Sequence, residues 1–329
     1  MASTPSRTAP PACALCDSDE WRLVFDGLHD VFSRATEDSF DLWRCESCGV
    51  GRTWPVADDT AGYYPDSYGL HRDAGRRSDL RWQARFTAFA AGRDLSLVPL
   101  VGPLASAALR HYGGETWHEL SRYAPGRRFA LLDVGSGSGS FPRNLRRLGI
   151  DAVGIEPSEA AAAAARRLGI PCYTGTIETA PYPAAQFDVV RFCHVLEHTG
   201  DPMADLATAR RLLRPGGIVV VRVPAWDSLQ AELFGRSWRP LDIPRHLWHF
   251  TRPALARLLE RAGFSEGSWE GLRQDWVATS MLIALLEEGY PPKTVYRALA
   301  AEHDSLARLG REFVAAGDVT EWFVVARRA

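Results

Sequence analysis

Lysine is almost missing from this chain. Lys293 is the only one, and arginine carries nearly all of the positive charge. An excess of charge of either sign is missing too: the net charge is −2 over 329 residues, which offers no electrostatic footing for nucleic acid or another polyanion. No apolar run approaches the ~20 residues needed to cross a bilayer. The opening MASTPSRTAPPA has no apolar signal core. Residues 1–12 therefore read as a disordered leader, and the chain reads as cytoplasmic with no membrane partner. There are no internal repeats, and the alanine tract 160–165 simply suits a helix. What remains, 46% hydrophobic and 24% charged residues, is the composition of a globular protein. The length exceeds one ordinary core, so a large domain with a smaller companion is expected.

Cysteine is scarce but patterned. Four of the six form two C-x-x-C pairs, Cys13/Cys16 and Cys45/Cys48. In a reducing compartment that pattern favours a metal over disulfides. Four soft thiolates suit tetrahedral Zn²⁺ and leave no position for water, so the expected role is structural. Residues 13–60 read as a small β-rich module around this site. So small a core needs help, and Zn²⁺ can contribute ~10–16 kcal/mol. Residues 1–60 hold five Arg, no Lys and eleven Asp or Glu, an acidity that repels phosphate. Residues 61–125 carry apolar positions at helical spacing and read as a helical linker or cap.

From 126 to the end the rhythm is strand, loop, helix, repeated. FALLDVG, DAVGIEPS, PCYTG, FDVVRFCHVL, IVVVRVP and the closing EWFVVARR read as strands. SFPRNLRRLG, EAAAAARRLG, PMADLATARRLLRPGG and RPALARLLERAGF read as helices. This alternation predicts an α/β fold, an open, doubly wound, mostly parallel sheet. Such sheets bind ligands beyond the carboxyl ends of their strands.

The first strand of that series runs into LLDVGSGSGSF (131–141). Gly135, Gly137 and Gly139 permit positive φ and close backbone approach to a ligand. Two cofactors compete for such a loop. A dinucleotide fingerprint is G-x-G-x-x-G with a pyrophosphate on a helix start. Here the spacing is G-x-G-x-G and Asp133 closes the strand. A carboxylate there repels pyrophosphate but suits an amino group beside a positive sulfur. Glu156, in GIEPS, is placed to accept two ribose hydroxyls, which serves either cofactor.

LDVGSGSG resembles the first motif of the class I S-adenosylmethionine-dependent methyltransferases, an acid followed by G-x-G-x-G. FDVVRFCHVLEHTGDP is similar to that family's E-H pair before a D-P turn, and LRPGG leads into the fifth strand as it does there. The resemblance covers roughly residues 129–264 together with the final strand, and it implies a seven-stranded Rossmann-like sheet. It implies cofactor contacts from Asp133, Gly135, Ser136, Gly137, Gly139, Glu156 and Pro157. Further contacts are implied from Thr176, Ile177 and Glu178, where Thr176 stands in place of the usual Asp, and from Cys193, His194 and Val195. CESCGVGRTWP…YYPDSYG and the LD-x-PRHL-x-HF segment (241–250) resemble bacterial methyltransferases with a fused N-terminal zinc ribbon, several of which act in sugar, polysaccharide or natural-product pathways.

HVLEH (194–198) also matches the H-x-x-E-H signature of zinc peptidases. That signature needs a helix, and here the segment follows strand residues and ends at Thr199–Gly200–Asp201–Pro202. The metal reading is set aside in favour of His198 as a general base facing the acceptor, with His246 as a second candidate. Trp238 and Trp248 are expected to wall the acceptor pocket. Arg245 either binds an acceptor phosphate or carboxylate or pairs with Asp242 to pin the loop. The expected activity is methyl transfer to a small-molecule acceptor by in-line displacement at ~3 Å, with a histidine taking any proton. Two rival readings are an RNA- or protein-modifying methyltransferase that docks through its ribbon, and an S-adenosylmethionine-binding protein with other chemistry. Oligomeric state is not legible.

Overall fold

The computed structural model describes residues 8–31, 33–56, 61–64, 129–147, 149–265 and 267–329. Most of the expected leader and nearly all of the expected helical cap (61–125) lie outside the described residues.

Two sheets organise the described residues. The first is four-stranded, in the order β1 (Trp21–Leu28), β2 (Phe40–Cys45), β3 (Gly51–Trp54), β9 (Trp248–His249). All of its pairings are antiparallel. The second is seven-stranded. Its members are β4 (Ala130–Val134), β5 (Asp151–Glu156), β6 (Cys172–Thr174), β7 (Phe187–Cys193), β8 (Leu213–Pro224), β10 (Ser268–Leu272) and β11 (Glu321–Arg327). Their order is β10-β11-β8-β7-β4-β5-β6. β4 pairs in parallel with β5 and β7, and β5 with β6. β11 runs against β8, because Arg328 N donates to Gly217 O while Ala225 N donates to Thr320 O. The fold is thus α/β with a mostly parallel sheet, as the alternation predicts.

The sheet's central strands are rich in apolar residues because helices cover both faces of such sheets. Leu131, Leu132, Val189, Val190, Phe192 and Val219 are all buried. The crossovers include α1 (Ser140–Arg147), α2 (Glu159–Arg167) and α3 (Pro202–Leu212). Ser158 caps α2 by accepting from Ala161 N at 3.4 Å, an interaction worth about 1 kcal/mol. Past β8 come α4 (Leu229–Phe234), α5 (Arg252–Arg261), α6 (Val277–Glu287), α7 (Pro292–Ala301) and α8 (His303–Ala315). Thr251 caps α5, and Ala254, Leu255, Leu258 and Leu259 form its buried stripe. Strand β10 and helices α4 and α6–α8 are additions to the sequence reading.

The chain divides into two compact units, with division points inside β8 and β11. One comprises Met1–Asp66, His194–Leu206 and Val221–Val324. The other comprises Ser67–Cys193, Ala207–Val220 and Val325–Ala329. In the first, the ribbon strands gain β9 from far along the chain, Gly51 opposite His249 and Arg52 opposite Trp248. Only glycine fits at 51: a Cβ there would lie 2.8 Å from both the His249 Cβ and the Trp226 ring. Leu28, Phe40, Leu42, Tyr63, Trp238, Leu241 and Ile243 share one apolar cluster beside this sheet.

Candidate functional site

In the second unit, the turn after β4 is built as a cradle. Gly135 and Gly137 have φ of 66° and 54°, and a Cβ on Gly137 would meet nothing within 4 Å. Gly137 N donates to Glu156 Oε2 at 2.8 Å, and Ser158 N donates to Glu156 Oε1 at 2.9 Å. One carboxylate therefore ties the loops after β4 and β5 together. Each of its oxygens has a second lone pair for a ligand hydroxyl. Ser136 N donates to Ile155 O at 3.0 Å, and Gly139 lets α2 approach, since a Cβ there would lie 2.8 Å from Ala165 Cβ. These are groups that suit the sugar of a nucleoside.

Asp133 stands differently from the expectation of an open carboxylate. It is buried, and its Oδ1 accepts from Arg191 at 2.8 Å. That guanidinium also lies 3.8 Å from the Phe141 ring centroid. After β6, the Thr176 amide donates to Thr179 Oγ1 at 3.1 Å. Ile177 is buried and Glu178 exposed. Cys193 closes β7, and Pro157 follows Glu156 directly.

In the first unit, two centres stand out. The four cysteine sulfurs converge, all within 4.8 Å of one another. Cys13 and Cys48 are 3.7 Å apart and Cys16 and Cys45 3.5 Å. A disulfide needs about 2.05 Å. Four thiolates around a tetrahedral ion at about 2.3 Å sit about 3.8 Å apart, so the donor set and spacing fit zinc. Backbone turns hold the knuckles, with Asp17 N donating to Cys13 O and Gly49 N to Cys45 O. Arg261 of α5 clamps the first knuckle through Leu15 O and Asp17 Oδ2, both at 2.7 Å.

The second centre is a histidine cluster. The His198 and His246 rings meet edge to face, 4.5 Å between centroids. Glu197, 1% exposed, is held by His194 Nδ1 at 3.2 Å from its Oε1. His194 itself has φ of 55° and its Nε2 lies 3.6 Å from Glu321, which also accepts from Arg222 at 2.6 Å. Burial alone would raise the Glu197 pKa. The His194 hydrogen bond and the surrounding imidazoles outweigh it and hold the carboxyl down at about 2. Burial, with His198 alongside, lowers His246 to about 4. Burial would lower His194 as well, but Glu197 and Glu321 reverse that and raise it. Val195 follows His194, and only a short 3-10 turn, Leu196–His198, covers the rest of the motif.

Behind this cluster Arg245 is wholly buried. Its guanidinium donates to Asp30 at 2.9 and 3.0 Å and to Asp242 at 2.8 and 3.2 Å. Of the two sequence readings the loop-pinning pair is the one present, because no atom of the side chain is exposed to an acceptor anion. Trp238 and Trp248 are 1% and 3% exposed. Trp238 packs in the ribbon-side core. Trp248 donates to Thr199 O at 2.9 Å and carries Arg52 on its face, 3.9 Å from the ring centroid. Both are scaffold rather than open pocket walls. Sequence reasoning missed Asp30, which recurs in no motif, and Tyr64, whose hydroxyl lies 3.0 Å from His198 Nδ1. It also missed Arg191, Arg222 and Glu321, which read as ordinary strand residues.

Comparison with known proteins points one way. A family profile described as "Methyltransferase domain" matches residues 108–265. A ubiquinone biosynthesis O-methyltransferase from Cereibacter sphaeroides is 32% identical over 168 residues, covering 47% of this chain and 67% of that protein. A malonyl-[acyl-carrier protein] O-methyltransferase from Serratia marcescens is 34% identical over 145 residues, covering 44% of this chain and 55% of that protein. Among solved structures, an S-adenosylmethionine-dependent methyltransferase from Mesorhizobium loti aligns with 66% of this chain and 99% of its own. The sequence identity is 20% and the TM-score 0.43.

Proposed function

We propose, because this chain belongs to the class I S-adenosylmethionine-dependent methyltransferases, that it methylates an oxygen of a small-molecule acceptor. The acceptor class is a sugar, polysaccharide precursor or natural-product intermediate. The observation that carries the reading is Glu156, whose two oxygens hold the amides of Gly137 and Ser158 across the loops after β4 and β5. The names of the relatives, both O-methyltransferases, favour oxygen over nitrogen or carbon. Residues 13–60 act as a zinc ribbon and 126–329 as the transferase domain.

When bound, S-adenosylmethionine supplies a methyl group on a positive sulfur that leaves with the bonding pair as S-adenosylhomocysteine. The chain's own groups do the rest. Glu156 accepts from the ribose hydroxyls. The glycines after β4 would let the nucleoside approach the backbone, and Ile177 and Glu178 would hold the base. Asp133, neutralised by Arg191, would orient that guanidinium rather than offer the cofactor's cationic end an unpaired charge. His198 or His246 would take the proton that the acceptor oxygen loses. Arg245, locked by Asp30 and Asp242, keeps that cluster in place. Zinc on Cys13, Cys16, Cys45 and Cys48 braces the ribbon and takes no part in the reaction.

The test pairs calorimetry with detection of S-adenosylhomocysteine. Glu156→Ala should weaken S-adenosylmethionine binding by about 100-fold. His246→Ala should leave binding intact and lower turnover by about 10²-fold. Wild-type protein that fails to bind S-adenosylmethionine at millimolar concentration would overturn the reading.

A further inference from the structure

The histidine cluster has the construction of a metal centre. One nitrogen each of His198 and His246 and one oxygen of Glu197 lie within 4.8 Å of one another. All three side chains are anchored by their other polar atom. His246 Nδ1 donates to Pro240 O at 2.7 Å, His198 Nδ1 donates to Arg245 O at 3.1 Å, and Glu197 Oε1 is held by His194. A carbonyl oxygen only accepts, so His246 Nδ1 carries the proton and its Nε2 presents a lone pair; His198, whose Nδ1 lies between Arg245 O and the Tyr64 hydroxyl, presents its Nε2 in the same way when Nδ1 donates to that carbonyl. Metal-binding imidazoles are anchored in this manner. The independent observation is Glu197 Oε2. It is fully buried and accepts no hydrogen bond from any described residue, an arrangement that is costly for a carboxylate without a partner. Three residues thus bring one ligand atom each to one place, and Asp242 Oδ2 adds charge 3.9 Å from His246 Nε2.

We propose that Glu197, His198 and His246 bind a divalent first-row transition-metal ion, separate from the thiolate site. Two imidazoles and a carboxylate form a harder donor set than four thiolates, suited to Zn²⁺, Co²⁺, Fe²⁺ or Mn²⁺ with coordination positions left open. The H-x-x-E-H reading set aside above is corrected in its first imidazole, not restored. His194 is turned onto Glu197 and Glu321, and His246 comes from 48 residues past His198. Binding of the ion does not rest on methyl transfer, but its use does: a divalent ion lowers the pKa of a hydroxyl ligand. With the ion bound, the acceptor hydroxyl would release its proton to solvent water, and the imidazoles would act through the ion in place of the free-base role proposed above.

The probe is Co²⁺, titrated into the full chain whose thiolate site has been loaded with zinc and whose weakly held ions have been removed with a mild chelator. One equivalent should bind with visible d–d absorption and no thiolate charge-transfer band. Glu197→Gln and His246→Gln should each weaken it by about 100-fold or more, with zinc content and far-ultraviolet circular dichroism unchanged. If a variant loses zinc or secondary structure, His198→Asn replaces it under the same criteria. Zinc-loaded wild-type protein that takes up no Co²⁺, or variants that bind Co²⁺ as tightly as wild type, would overturn the inference. S-adenosylhomocysteine formation by chelated enzyme without Co²⁺ uptake would leave the imidazoles as free bases and sink the metal alone. Co²⁺ uptake without methyl transfer to any acceptor would sink the functional reading alone.

Discussion

Removing Asp30 should destabilise the chain and disable the histidine cluster, although Asp30 touches neither histidine. Its carboxylate takes two hydrogen bonds from Arg245, at 2.9 and 3.0 Å, and two more from the amides of Ser33 and Ala35. Neither side chain of the pair is exposed. Asp30→Ala strands a buried guanidinium, a loss that runs to about 3–5 kcal/mol. Asp242 stays in contact with Arg245 at 2.8 Å and softens the loss, so about 3 kcal/mol is expected from urea unfolding at pH 7. Burial would raise the Asp30 pKa, but the Arg245 hydrogen bond and charge and the loop amides bring it below its usual value. A depressed carboxyl contributes stability that is complete above the unfolded pKa, near ~3.9, and is lost as pH falls through the folded value. The gap between wild type and variant should therefore be full at pH 5–7 and close below pH ~4. Because the Arg245 carbonyl anchors His198, turnover should fall with stability. Combining Asp30→Leu with Arg245→Met should recover much of the stability but little of the turnover. An Asp30→Ala variant within about 1 kcal/mol of wild type at pH 7 would refute the reasoning.

Two further outcomes are expected. Cys45→Ser should abolish the tightly held zinc, measured by elemental analysis, and lower the melting temperature of the ribbon-bearing unit; retention of one zinc per chain would contradict the four-thiolate site. Gly139→Val should disrupt the cradle, since its Cβ would meet Ala165 Cβ at 2.8 Å and φ is 78°. Loss of S-adenosylmethionine binding together with at least about 2 kcal/mol of stability is expected, and unchanged calorimetry would count against the described packing of α2.

The strand–loop–helix series from β4 to α5 was legible because each element has a local signature: apolar runs, caps and glycine stops. The thiolate site was legible because its ligands come as two short pairs. Long-range pairings left no such mark. Nothing near residue 30 announces a partner 215 positions away. A buried, paired Arg245 is spelled the same way as an exposed anion binder. Trp238 and Trp248 were expected in a pocket because aromatic density in a loop looks like a wall, yet here it fills cores on either side. The helices of 277–315 went unassigned because the resemblance to a known family stops short of them. His194 and Glu197 were seen, but in a signature that needs a helix and was set aside for want of one, and His194 was read as a cofactor contact. The backbone there makes only one turn, so the geometry that joins Glu197 to His246 had no expression in spacing.

The pairing of β3 with β9 also has a bearing on how the chain is made. Synthesis must pass roughly 200 further residues after Gly51 before His249 exists, which takes on the order of 10–40 s at ordinary translation rates. For that interval the nascent ribbon offers an unmatched border to any extended peptide nearby. Fragments ending before residue 248 inherit that border permanently, so they should clump in expression trials where the whole polypeptide stays dispersed.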